Sequence, residues 1–314
     1  MPYAGGVHLP WRDVPDRVRD RVIDWAGSEI VEAQDLSGGF SPGCCTCLRF
    51  AGGRRVFVKA VSRSANPESP SMHRREAHVA RHLPPSPCLP RLEGYLEEED
   101  WVVLVFDRID GRMPRHPWVA DELDSVLAHL GVVHRLLTPC PVPDLEPTAT
   151  YFETVFSGWR TMAGAPVVPD HLDEWSRRHL DRLAGLEQRW VEAVEGDGLV
   201  HGDIRSDNVL VNGSSVAFVD WPHASRGAAF FDLVAWAPSV ALEGGPDPES
   251  LLGRCASARA VEAERLDPVV AAVTGFFTYH ATLSPPPGLP TLRPFQEAQG
   301  RVAREWLRRR TGWT

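Results

Sequence analysis

The stretch from Leu199 to Trp221, LVHGDIRSDNVLVNGSSVAFVDW, constrains the fold more than any other part of the chain. His201-Gly202-Asp203 is followed five positions after the aspartate by Asn208, and Asp220 comes twelve positions after Asn208. Two short apolar runs, Val209 to Val211 and Val216 to Val219, flank the turn residues Asn212, Gly213 and Ser214. β-branched runs bounded in this way read as a tight hairpin. Asp203 and Asn208 then sit on the loop leading into the hairpin, and Asp220 sits where the chain leaves it. A short hairpin brings its two ends together, so the three side chains converge. Two carboxylates and an amide oxygen are hard donors that suit magnesium, with phosphate oxygens completing the shell.

The pattern H-G-D-x-x-x-x-N, followed by a strand and an Asp, resembles the catalytic and metal motifs of the aminoglycoside phosphotransferase and choline kinase group. Those enzymes share the protein-kinase fold, whose own version reads H-R-D-x-x-x-x-N and then D-F-G. A single Asp or Asn in a hairpin is an ordinary turn residue; the ordered set carries the resemblance. It implies an α+β, protein-kinase-like two-lobe fold. A small β-rich N-lobe with one αC-type helix is expected over 1–107 and a larger, mainly helical C-lobe over 108–314.

A second feature comes from composition. Of the 33 basic residues, one is lysine, Lys59. It falls in Arg55-Val56-Phe57-Val58-Lys59-Ala60-Val61, a strand whose alternation puts Val56 and Val58 on one face and Phe57 and Lys59 on the other. A charge inside an apolar strand is costly unless paired. An arginine-rich chain keeps a lysine where arginine does not serve. The resemblance implies that Lys59 contacts nucleotide phosphates and a helix glutamate. That glutamate is Glu76, on a helix over 71–83, with Glu68 in a Pro/Ser/Asn loop as the second candidate.

Upstream, Ser37-Gly38-Gly39-Phe40-Ser41-Pro42-Gly43 joins two strands. Its glycines let backbone approach a phosphate, which makes Gly38, Gly39 and Ser41 nucleotide-contact candidates. It does not match the Walker pattern, since no Gly-Lys-Ser/Thr follows. The strand Trp101 to Phe106 runs into Asp107-Arg108-Ile109-Asp110-Gly111, which resembles the hinge of these kinases. The resemblance implies Phe106 as gatekeeper, with the Asp107 carbonyl and the Ile109 amide facing the purine. It assigns Asp232 to supporting the catalytic-loop backbone. Arg205 is expected at the transferred phosphate or paired with Asp207. Helices are expected over 11–26, 119–137, 150–163, 171–194, 266–283 and 292–310 from apolar spacing. His134, on the second of these, reads as a packed or capping histidine.

The resemblance implies an O-phosphotransferase that uses ATP or GTP with Mg2+. Lys59 and Glu76 hold the nucleotide, Asn208 and Asp220 the metal, and Asp203 accepts the proton of a small-molecule hydroxyl. Pro222 to Gly227 runs straight into a helix with no activation loop, which disfavours a protein substrate. The acceptor is expected to be an antibiotic or other natural product. Alternatives are a metabolic kinase of choline, homoserine, sugar or fructosamine type, or a nucleotide-binding pseudokinase. Net charge is −9, of which −7 lies after residue 110. This argues against a nucleic-acid partner and favours a neutral or cationic substrate. No run of about 18 apolar residues exists, so no membrane span is expected. The first residues lack the basic and apolar regions of a secretory signal, and a cytoplasmic location is expected. Cys44, Cys45 and Cys47 have no His partner nearby in the sequence, and they are expected to be reduced strand residues rather than a zinc site.

Overall fold

The computed structural model describes residues 8–36, 43–167, 169–286 and 289–314. Gly38, Gly39 and Ser41 lie outside them. Among the described residues the strands are β1 (Ile30–Asp35), β2 (Cys44–Phe50), β3 (Arg55–Ser62), β4 (Leu92–Glu98), β5 (Trp101–Asp107), β6 (Gly198–Val200), β7 (Val209–Asn212), β8 (Ser215–Phe218) and β9 (Ser225–Gly227). The α-helices are α1 (Asp16–Ala26), α2 (Ser69–His82), α3 (Ala120–Leu136), α4 (Thr148–Tyr151), α5 (Gly158–Ala163), α6 (Glu174–Arg178), α7 (Leu180–Gln188), α8 (Trp190–Ala193), α9 (Phe230–Leu242), α10 (Pro248–Arg254), α11 (Ala263–His280) and α12 (Leu292–Thr311). Two compact units result. Of the described residues, 8–36, 43–113, 206–223 and 289 form the first, and 114–167, 169–205, 224–286 and 290–314 form the second. The sequence puts the lobe boundary at 107/108; the first unit reaches Met113 and takes in the hairpin.

The first unit is built on one antiparallel sheet in the order β1-β2-β3-β5-β4. Alternation along β3 decides what lies on each side. Val56, Val58 and Ala60 face a core shared with Leu48, Phe50, Val103 and Val105, and with Val18 and Val22 of α1. Val61 faces the other way, with Val102, Leu104 and Phe106, under Ala77 and Ala80 of α2. Lys59, two residues before Val61, shares that second face. A continuous helix over 11–26 does not form. Trp11–Asp13 is a 3-10 turn, and α1 starts only after Pro15, which has no N–H to continue a helix. Strands β7 and β8 pair antiparallel through a two-residue turn, where Gly213 takes φ +58.

The second unit is helical apart from the short antiparallel pair of β6 and β9. Its centre includes the rings of Phe152, Phe156, Trp190, Phe231 and Phe276, whose contacting pairs lie 5.3–5.7 Å apart. The helices expected over 150–163 and 171–194 are each broken, into α4 and α5 and into α6, α7 and α8. The first break has a tertiary cause. Backbone at Gly158 meets backbone at Gly275 of α11 so closely that a Cβ would not fit. Glu187 of α7 then accepts the Trp159 and Arg160 N–H groups, both at 2.9 Å, at the start of α5.

Candidate active site

Lys59 is positioned by its strand and neutralised by its neighbours. In the sheet register it lies opposite Cys45 on β2 and Leu104 on β5. Its Nζ donates to both carboxylate oxygens of Glu76, at 2.7 and 2.9 Å, and also to Asp220 Oδ1. Glu76 is therefore its helix partner; Glu68 stands at the N-cap of α2. Lys59 as a whole residue is 8 % exposed. Burial works against its charge, but Asp220 and Glu76 outweigh burial and hold the ammonium above lysine's ordinary value. The phenyl ring of Phe106 has its centroid 6.0 Å from Nζ.

The hairpin brings the proposed metal donors to one end. The Val219 N–H donates to the Asn208 carbonyl at 2.9 Å, so Asn208 and Asp220 flank the open end of the β7–β8 ladder. Asp220 adopts φ +71, a left-handed conformation that Asp tolerates better than most residues. Such conformations cluster at functional sites. Among the described residues no group of three or more His, Cys, Asp or Glu could hold a metal. One amide oxygen and one carboxylate are too few for a protein-only cage. They suit Mg2+, which keeps waters and substrate phosphates in its shell.

Asp203 is held by the second unit. Gly202 takes φ +81, which a side chain would resist, and this turns the backbone just before Asp203. The Gly202 N–H donates to Asp232 Oδ1 at 2.8 Å, and the His201 N–H donates to Asp232 Oδ2 at 2.9 Å. Arg205 Nη1 lies 3.7 Å from Asp203 Oδ2. His134, read from the sequence as a packed or capping histidine, is buried and braces this clamp. Its Nε2 is 3.1 Å from Asp232 Oδ2, and its Nδ1 is 3.3 Å from Ser257 Oγ. Burial opposes the charge on Asp232, yet the His134 hydrogen bond and the backbone donors hold its carboxyl below the usual range. The signal was present in two halves: a histidine on the buried face of α3, and an aspartate in an apolar helix that needed a partner.

Several further polar side chains have partners of their own. Asp107 ends β5, and its side chain accepts from Arg91 Nε at 2.8 Å. Ile109 follows in the segment that leaves the sheet. The described cysteines are free thiols, and Cys44, Cys45 and Cys47 all lie on β2. His280 packs on Phe276 at 4.5 Å between ring centroids. Asp247 caps α10, and Glu249 accepts from Trp306 Nε1 at 2.8 Å.

Comparison with known proteins agrees with this architecture. Among curated proteins no relative matches. A thermostable aminoglycoside phosphotransferase APH(4)-Ia, solved with ADP and hygromycin B, superposes with a TM-score of 0.60 at 17 % identity. The match covers 95 % of this chain and 99 % of that one. Choline kinase LicA from Streptococcus pneumoniae gives a TM-score of 0.60 at 12 % identity, covering 93 % of this chain and 98 % of its own. Amicoumacin kinase hAmiN gives 0.58 at 13 % identity and 93 % coverage of both chains. At these identities the likeness establishes a protein-kinase-like fold. Residues 33–268 match the phosphotransferase enzyme family, and with three quarters of its length inside that match the chain belongs to this family.

Proposed function

We propose that the protein transfers the γ-phosphoryl group of a nucleoside triphosphate to a hydroxyl of a small molecule. The observation that carries this is the buried Lys59, clasped by both oxygens of Glu76 and by Asp220, in the same unit as Asn208. Phosphoryl transfer passes through a loose transition state with charge on the equatorial oxygens, so positioning and charge neutralisation do most of the catalysis. Lys59 would hold the α- and β-phosphates, and Glu76 fixes the ammonium for that task. Asn208 and Asp220 would hold Mg2+, whose charge neutralises the phosphates when bound. Gly38, Gly39 and Ser41 are assigned to the nucleotide on sequence. The Asp107 carbonyl and Ile109 amide are assigned to the base. Asp203 accepts a hydrogen bond from the acceptor hydroxyl, aims it in line and takes its proton late. Arg205, beside Asp203, is assigned to the transferred phosphate.

For the acceptor we favour a neutral or cationic, hydroxyl-bearing natural product of the antibiotic kind. The acidic excess after residue 110 supports that charge preference. The structures of the same fold solved with hygromycin B and with amicoumacin support an acceptor of the antibiotic kind. The test is a panel of hydroxylated antibiotics and metabolites scored by nucleoside diphosphate release. Asp203→Ala should keep nucleotide affinity and lose about 10²- to 10⁴-fold in turnover. Unchanged turnover in that variant would remove Asp203 as the base.

A further inference from the structure

The face of the sheet that carries Lys59 continues toward the hinge. In register, Phe57 lies opposite Cys47 and Arg55 opposite Arg49, while Gln34 and Glu32 of β1 lie opposite Cys47 and Arg49. All of these share one face with Lys59. A cavity of about 230 Å³ opens there, lined by Glu32, Gln34, Cys47, Arg55 and Arg108 among others. Along β3, Phe57 is two residues and Arg55 four residues from Lys59, about 7 and 13 Å at the strand rise. That interval suits the reach from the α-phosphate of a nucleotide to its purine ring. The charges lining the cavity are not equivalent. Arg49 is paired with Glu32 at 2.8 Å, and Arg55 with Asp110 at 2.7 Å. Among the described residues Arg108 has a long approach to Asp110, at 3.7 Å, and its Nη1 donates to the Cys47 thiol at 2.8 Å. A thiol is a weak acceptor, and a ligand oxygen would replace it with gain.

Resting on the phosphotransferase reading, we propose that this cavity receives the base of the donor nucleotide and that Arg108 selects guanine over adenine. Guanine presents two acceptors, O6 and N7, to a forked guanidinium. Adenine presents N7 beside an amino donor that opposes it. The test is titration of the full chain, with Mg2+, by the non-hydrolysable analogues GMP-PNP and AMP-PNP. GMP-PNP should bind about tenfold tighter or more. Arg108→Ala should bring the ratio of the two affinities close to one. Arg108→Gln, whose amide offers one donor and one acceptor and so matches the N7 and amino group of adenine, should lower the ratio at least as far and serves if the alanine variant folds poorly. Equal affinities in the wild type, or a ratio that survives both substitutions, would overturn the proposal. If both analogues bind equally and transfer still occurs, only base choice falls. If neither binds, the phosphotransferase reading falls and takes this inference with it.

Discussion

At the scale of single residues, scarcity made Lys59 readable. One lysine among 33 basic residues, in an apolar strand, had to be paired, and the structure pairs it twice. Removing the ammonium leaves Glu76, 2 % exposed, as a buried carboxylate without its cation. Breaking such a pair costs about 3–5 kcal/mol. Lys59→Ala is therefore expected to lower the melting temperature. It should also weaken Mg-nucleotide binding by about 1.5–3 kcal/mol, the range for a hydrogen bond to a charged group. Lys59→Arg should do poorly as well, because a planar fork does not fit a site built around a compact ammonium. Wild-type nucleotide affinity in Lys59→Ala would exclude Lys59 from phosphate binding. Arg108 was less legible. Its sequence position named the hinge, but the direction of its side chain depends on where β2 runs, which spacing along the chain does not encode.

At the scale of elements, strands were read better than helices. Period-two alternation fixed the faces of β3, whereas helix breaks depended on close crossings such as Gly158 against Gly275. The α3–α9 pairing shows what is gained once elements are placed. Asp232 on α9 clamps the backbone before Asp203, and His134 on α3 braces Asp232. His134→Phe should cost about 1–3 kcal/mol, since it removes one partner of a buried charge. It should lower kcat while nucleotide affinity holds, because Lys59, Asn208 and Asp220 belong to the other unit. A loss of nucleotide affinity equal to the loss of kcat would argue against this positioning role. The end of α9 carries a pH dependence. Burial pushes the Glu243 carboxyl from 4.5 up to about 8, and Oε2 accepts from Trp118 Nε1 at 2.9 Å. A folded pKa above the unfolded one means that folding takes up a proton. This contribution is complete below pH 4.5 and drains away as pH rises through 8, with a slope up to about 1.4 kcal/mol per pH unit. Glu243→Gln keeps an acceptor for Trp118 and should flatten urea-unfolding stability between those limits. An unchanged pH profile would refute the assignment.

At the scale of the whole molecule, one continuous motif serves two units. Read along the chain, Asp203, Asn208 and Asp220 form a single signature. In the structure Asp203 is anchored by α9, while Asn208 and Asp220 belong with the sheet. The change of unit falls between Arg205 and Ser206, inside the motif, and no spacing rule marks it. What ties the hairpin to the sheet unit is hydrogen bonding. Val211 and Arg112 exchange backbone bonds at 2.8 and 3.0 Å, and the Phe218 N–H donates to the Cys88 carbonyl at 2.9 Å. Native-state hydrogen exchange under rising denaturant should therefore show Val211 and Phe218 losing protection together with the amides of β3 and β5. The amides of β6 and β9 should follow the second unit. Mg-nucleotide at about a hundred times its Kd should raise the opening free energy of the first set by about 2.7 kcal/mol. Asp220→Ala should reduce that gain when Mg2+ is present, because the nucleotide then loses one donor to its metal. If Val211 and Phe218 instead exchanged with β6 and β9, the hairpin would belong to the unit of Asp203. The separate placement of base and metal donors would then be wrong.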